Sequence, residues 1–142
     1  MAERVLLPID GKEHARRSFE LAAELFPEGT FVLLHVINPS DASVSADGAM
    51  PSFPKGWYEQ QQAMADQMLV DIEQLAADSG IETEQVVELG KPARKILDTI
   101  EDREIDHVVM SSHRRQGVSR LLLGSTAETV IRCSSIPITI AP

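Results

Sequence analysis

Arg4-Val5-Leu6-Leu7-Pro8-Ile9-Asp10-Gly11 opens the chain with a short apolar run closed by an acidic residue and a glycine. Such a run, bounded by a turn signal, reads as a buried strand. The next stretch changes period. Between Lys12 and Phe26, the residues Ala15, Phe19, Ala22, Ala23 and Phe26 recur at helical spacing, and Pro27-Glu28-Gly29 ends the pattern. Phe31 to Ile37 is apolar again and stops at Asn38-Pro39. A strand, a helix and a second continuous apolar strand make a β-α-β unit, and its strands are parallel because a helix carries the chain back.

The alternation continues to the end of the chain. Met64, Met68, Ile72 and Leu75 mark one face of a long helix ending near Ser79-Gly80, and Ile81 to Leu89 reads as a third strand. Pro92 stands near the first position of a helix carrying Ile96, Leu97 and Ile100. Asp106 to Met110 reads as a fourth strand, Ser125 to Cys133 as a last short helix, and Ile136 to Ala141 as a fifth strand. The pattern predicts one α/β domain over residues 1–142, a doubly wound parallel sheet with helices on both faces and right-handed crossovers. Residues 38–56, with Pro39, Gly48, Pro51, Pro54 and Gly56, form the one long irregular stretch, expected to be a functional flap or partly disordered.

Composition narrows the function classes. The 142 residues are 43% hydrophobic and 25% charged, as in an ordinary soluble domain. No apolar run approaches the ~20 residues that cross a bilayer, so a cytoplasmic address and no membrane partner are expected. The single cysteine, Cys133, excludes an internal disulfide and is expected to pack in an apolar helix. Asp and Glu number 22 against 13 Lys and Arg, a formal charge of −9. A surface of that sign repels phosphate backbones, so nucleic acid is not an expected partner. Only Lys12, Lys55, Lys91 and Lys95 are lysines. An acid-rich, lysine-poor surface suits a salt-rich cytoplasm.

Ligands of such sheets sit beyond the carboxyl ends of the strands, where the strand order switches. Four segments qualify: Asp10-Gly11, Ile37-Asn38, Gly90-Lys91 and Ser111 to Gly124. Gly124-Ser125-Thr126 begins a helix, whose free N–H groups and dipole suit a phosphate. Ser125 with Glu128 three residues on also fits a capping box that simply closes the helix. Arg114, Arg115 and Arg120 either pair with phosphate or balance nearby carboxylates in a solvated loop. Asp10 either accepts hydrogen bonds from a ribose or an amino group, or caps the first helix. His35 reads as a core residue with a satisfied hydrogen bond, Met64 and Met68 as ordinary core, and His113 as the one histidine at the ligand edge. The histidines lack metal-ligand spacing, and G-x-S-x-G, G-x-x-x-x-G-K-[ST] and G-x-G-x-x-G are all absent, so no metal site, catalytic serine or P-loop is expected.

Taken together, the segments resemble the universal stress protein family over essentially the whole chain. The resemblance rests on Val5 to Gly11, Leu34-His35-Val36, Gly90-Lys91-Pro92-Ala93, Asp106 to His113, and Leu123-Gly124-Ser125 through Ile140. It implies a five-stranded sheet of order 3-2-1-4-5 and a homodimer paired through the C-terminal strand. It also implies a stress-response role in which ATP, ADP or AMP, with Mg2+ as counter-ion, is a regulatory ligand and turnover is at most very slow. The family's ATP-binding branch is similar at Pro8 and Asp10, by adenine and ribose, and at Val36 and Met110, by the base. Its signature G-x2-G-x9-G-[ST] matches here only at Gly124-Ser125, with Ser111 and Arg114 at the two earlier glycine positions. The expected nucleotide contacts are therefore Pro8, Asp10, Val36, Met110, Ser111, His113, Arg114, Gly124, Ser125 and Thr126. A branch lacking the glycine signature implies the alternative of a nucleotide-free dimeric interaction module. A nucleotidyl-transferring or hydrolytic enzyme on a related fold is a third reading.

Overall fold

Residues 3–41, 55–112 and 123–142 are described by a computed structural model. Five strands, β1 (Arg4–Pro8), β2 (Thr30–Ile37), β3 (Glu82–Leu89), β4 (His107–Ser111) and β5 (Ile138–Ala141), form one sheet. Its order is β3-β2-β1-β4-β5 and every pairing is parallel. The helices are α1 (Lys12–Leu25), α2 (Trp57–Asp78), α3 (Pro92–Asp102) and α4 (Ser125–Cys133). Element order and strand order both follow the expectation.

The alternation of side chains along a strand decides which helix meets which residue. Val5, Leu7, Phe31, Leu33 and Val109 face α1 and α2, where Ala15, Phe19, Ala22, Leu69, Ile72 and Ala76 cover them. Leu6, Val32, Leu34, Val108 and Met110 face α3 and α4 and meet Ile96, Ile100, Ala127 and Val130. Because β1, β2 and β4 are buried on both faces, their sequences are almost continuously apolar. On the first of these faces the rings of Phe19 and Phe31 meet edge to face, with centroids 5.9 Å apart.

Several local expectations need correction. The buried stripe of α2 is Ala65, Leu69, Ile72 and Ala76, with small residues letting the helix approach the sheet. Met64 is 54% exposed and is not core. Cys133 is exposed, because it falls in the last turn of α4 away from the stripe of Ala127 and Val130. β5 starts at Ile138: Pro137 has no N–H for a ladder, and the Ile136 N–H donates to the Ser134 hydroxyl at 3.1 Å. In the long irregular stretch, Pro39–Asp41 forms a single 3-10 turn and residues 42–54 lie outside the described residues. Gly56, with φ +80°, supplies the left-handed residue that starts α2. Among the described residues, no helix is long and apolar enough to cross a membrane.

Candidate functional site

The chain leaves β1 toward β2 and β3 on one side, then returns to place β4 and β5 on the other. Diverging crossovers leave a crevice above the carboxyl ends of β1, β2 and β4. The structure holds a cleft of about 640 Å³ there, within the range of sites for small organic ligands.

Backbone bonds set the floor. Past the last ladder pair, Pro8 with Leu34, the Ile9 N–H donates to the Leu34 carbonyl at 2.7 Å. The Ile9 carbonyl lies 2.6 Å from His35 Nδ1. A carbonyl only accepts, so Nδ1 carries the hydrogen and the ring is fixed across the two strand ends. Asn38 Oδ1 accepts from the Ser40 N–H at 3.1 Å and the Ser40 hydroxyl at 2.9 Å, turning the chain as it leaves β2. Ser112, buried behind Ser111, ties β4 to β5 through its N–H and hydroxyl, both donated to the Ala141 carbonyl at 2.9 and 3.1 Å.

Three helices begin at this edge. Gly11, at the start of α1, Pro92, at the start of α3, and Gly124-Ser125-Thr126, at the start of α4, all line the cleft. None of the three N-caps, Gly11, Lys91 and Gly124, makes a side-chain capping hydrogen bond. The capping-box expectation therefore fails. Gly124 is the cap, which moves Ser125 to the first helical position and Glu128 one residue too far along. The Glu128 N–H instead donates to the Gly124 carbonyl at 3.0 Å. At α1 the cap position falls on Gly11, one residue after Asp10. Uncapped N–H groups and converging helix dipoles make this end of the molecule favourable to an anion, although the whole chain is acidic.

The cleft brings together eight of the ten residues expected from the sequence: Pro8, Asp10, Val36, Met110, Ser111, Gly124, Ser125 and Thr126. His113 and Arg114 lie outside the described residues, as do Arg115 and Arg120. Sequence reasoning missed His35, Gln61, Met64 and Met68. His35 lines the cleft and is only half-buried, so it is not a core residue, although its hydrogen bond is satisfied as expected. The three α2 residues form a wall over the α1/α2 side of the cleft. Helical spacing alone cannot separate such a wall from a core face. Among the described residues, no group of three or more His, Cys, Asp or Glu is arranged to hold a metal ion.

The whole chain, residues 1–142, matches the model of the universal stress protein family. It belongs to that family.

Among relatives, this universal stress protein is 23% identical over 146 residues to universal stress protein YxiE of Bacillus subtilis, covering 99% of each chain. Among solved structures it superposes on MJ0577 of Methanocaldococcus jannaschii with a TM-score of 0.80, at 23% identity over 99% of this chain and 96% of that one. Two further neighbours were solved with adenine nucleotides. One is a universal stress protein in complex with cAMP, with TM-score 0.66 at 18% identity, covering 98% of this chain and 95% of that one. The other is the Archaeoglobus fulgidus protein in complex with dAMP, with TM-score 0.67 at 17% identity, covering 99% of this chain and 98% of that one. At these identities the likeness establishes the fold.

Proposed function

We propose that this universal stress protein binds an adenine nucleotide, ATP, ADP or AMP, as a regulatory ligand in the cleft above β1, β2 and β4. The observation that carries the reading is the convergence of Pro8, Asp10 and Val36 with the uncapped start of α4 at Gly124-Ser125-Thr126 in one cleft. A phosphate group suits the α4 end, where N–H groups and the dipole favour negative charge. The base and ribose suit the strand ends, where Val36 and Met110 are apolar and Asp10 accepts hydrogen bonds. Cocrystallised cAMP and dAMP in two family members support the ligand class. Mg2+ would arrive on the phosphates, since it keeps much of its water and needs only one or two carboxylates, of which Asp10 is at hand. The ligand is held as a signal, and phosphate release at or near background is the expectation.

Chromatography of the small molecules released by denaturing the purified protein tests the reading. Adenine nucleotide approaching one per chain supports it, and its failure to appear even after incubation with excess ATP contradicts it.

A second reading concerns assembly. β5 is an edge of the sheet, and its Ile138 and Ile140 are only half-buried. An apolar strand left unpaired at an edge favours pairing with another chain, so we propose a homodimer through β5. A dimer that takes up no adenine nucleotide would favour the interaction-module alternative. Sedimentation equilibrium of wild type and Ile140→Lys tests it: a dimer that becomes a folded monomer is expected, and a monomeric wild type contradicts it.

A further inference from the structure

The α2 wall has no role in the reading above, and its chemistry differs from the rest of the cleft. Gln61, Met64 and Met68 follow one another at spacings of three and four, so they form a stripe along α2. At ~100° per residue, that stripe is turned about 80° from the buried stripe of Ala65, Leu69, Ile72 and Ala76. One stripe seats the helix on the sheet, and the other lines the cleft. Met68 still touches the core, whereas Met64 is 54% exposed. A large thioether left half in water at the wall of a cleft is an apolar surface suited to a flat partner. Methionine suits that task, because its sulfur is polarisable and its three rotatable bonds let it follow a ring face.

We infer that Met64 packs against the nucleobase of the bound ligand and is a specificity-determining contact of the cleft. The inference rests on the adenine-nucleotide reading and deepens it. The anion-favouring start of α4 and the thioether wall of α2 line the same cleft, so a ligand with an anionic end and a planar apolar end satisfies both. That division orients the nucleotide, with phosphate on α4 and the base covered by α2.

Protein labelled with 13C at the methionine methyls, titrated with MgATP and separately with inorganic triphosphate, reads this contact directly. Met64→Leu, which keeps the apolar bulk, identifies the Met64 signal by its loss. The expected result is an upfield ring-current shift of the Met64 methyl with MgATP and none with triphosphate. Alongside it, Met64→Ala should weaken MgATP about tenfold and leave triphosphate affinity unchanged. Because Met64 is exposed, the Ala variant should fold normally, and the methyl shift in wild type does not depend on it. Binding of MgATP with an unmoved Met64 methyl and unchanged Met64→Ala affinity overturns the inference and leaves the nucleotide reading intact. Absence of any MgATP binding overturns both.

Discussion

The His35 imidazole donates from Nδ1 to the Ile9 carbonyl at 2.6 Å, closing the ends of β1 and β2 one residue beyond their ladder. The Ile9 N–H already donates to Leu34 at 2.7 Å, so both backbone groups of this buried residue are satisfied at the cleft floor. His35→Ala removes the donor and leaves a buried carbonyl unpaired, at a cost of about 1–2 kcal/mol. Thermal unfolding should show it as a fall of several degrees in Tm, at ~4 °C per kcal/mol. An unchanged Tm would mean that the bond contributes nothing.

The core makes a sharper contrast. Phe31 is fully buried at the centre of the α1/α2 face, whereas Leu25, at the end of α1, is 48% exposed. Phe31→Ala should cost about 3–5 kcal/mol, through lost burial and the cavity left behind. Leu25→Ala should stay within about 0.5 kcal/mol. Urea denaturation of the two variants compares them, and similar midpoints would contradict the packing described.

Acid should destabilise the protein in two windows. Burial, only partly opposed by Glu3, holds the His107 pKa below its ordinary 6.5, with Nε2 2.6 Å from the Thr139 hydroxyl and the ring 4.8 Å from that of Phe26. The unfolded chain therefore binds a proton first, and stability falls as pH drops below about 6.5. Glu84 behaves as a lowered carboxylate. Its hydrogen bond to Arg4 outweighs the opposing effect of burial, with the charges of Arg4 and Arg103 adding to it. Its contribution is complete above about 4.5 and disappears as pH falls through its own lower value. At 39% exposure solvent keeps that second effect small, below ~1 kcal/mol. Equilibrium unfolding against pH should lose the upper slope in His107→Gln and the lower one in Glu84→Gln. Unaltered curves would contradict both assignments.

Net charge makes a further prediction. With 22 acidic against 13 basic side chains, self-repulsion strains the folded state at low ionic strength. Raising salt from about 0.05 M to about 1 M shortens the screening length to ~3 Å and should raise Tm by several degrees. An unaltered Tm would remove the case for a salt-adapted surface.

The sheet was legible because its apolar runs are continuous where strands are buried on both faces, as at Val5-Leu6-Leu7 and Val108-Val109-Met110. Helix ends were harder. Ser125 and Glu128 satisfy a capping spacing, yet the extended backbone falls at Gly124, one residue earlier. In the candidate site, strand order alone pointed to Asp10 and Ser111, whereas Pro8, Val36 and Met110 followed only from the family resemblance; all five line the cleft. Its α2 wall was not legible, because Met64 and Met68 keep the same spacing whether they face a core or a cleft. Only the seating of Ala65, Leu69, Ile72 and Ala76 on the sheet separates the two.

Calorimetric titration of MgATP into nucleotide-stripped protein at high salt, with Ser125→Asp beside wild type, tests the central claim most directly. Saturable binding in the micromolar range, weakened at least about tenfold by the new carboxylate at the start of α4, is the predicted result. No heat from either protein at millimolar MgATP, with no accompanying rise in Tm, would contradict nucleotide binding in this cleft.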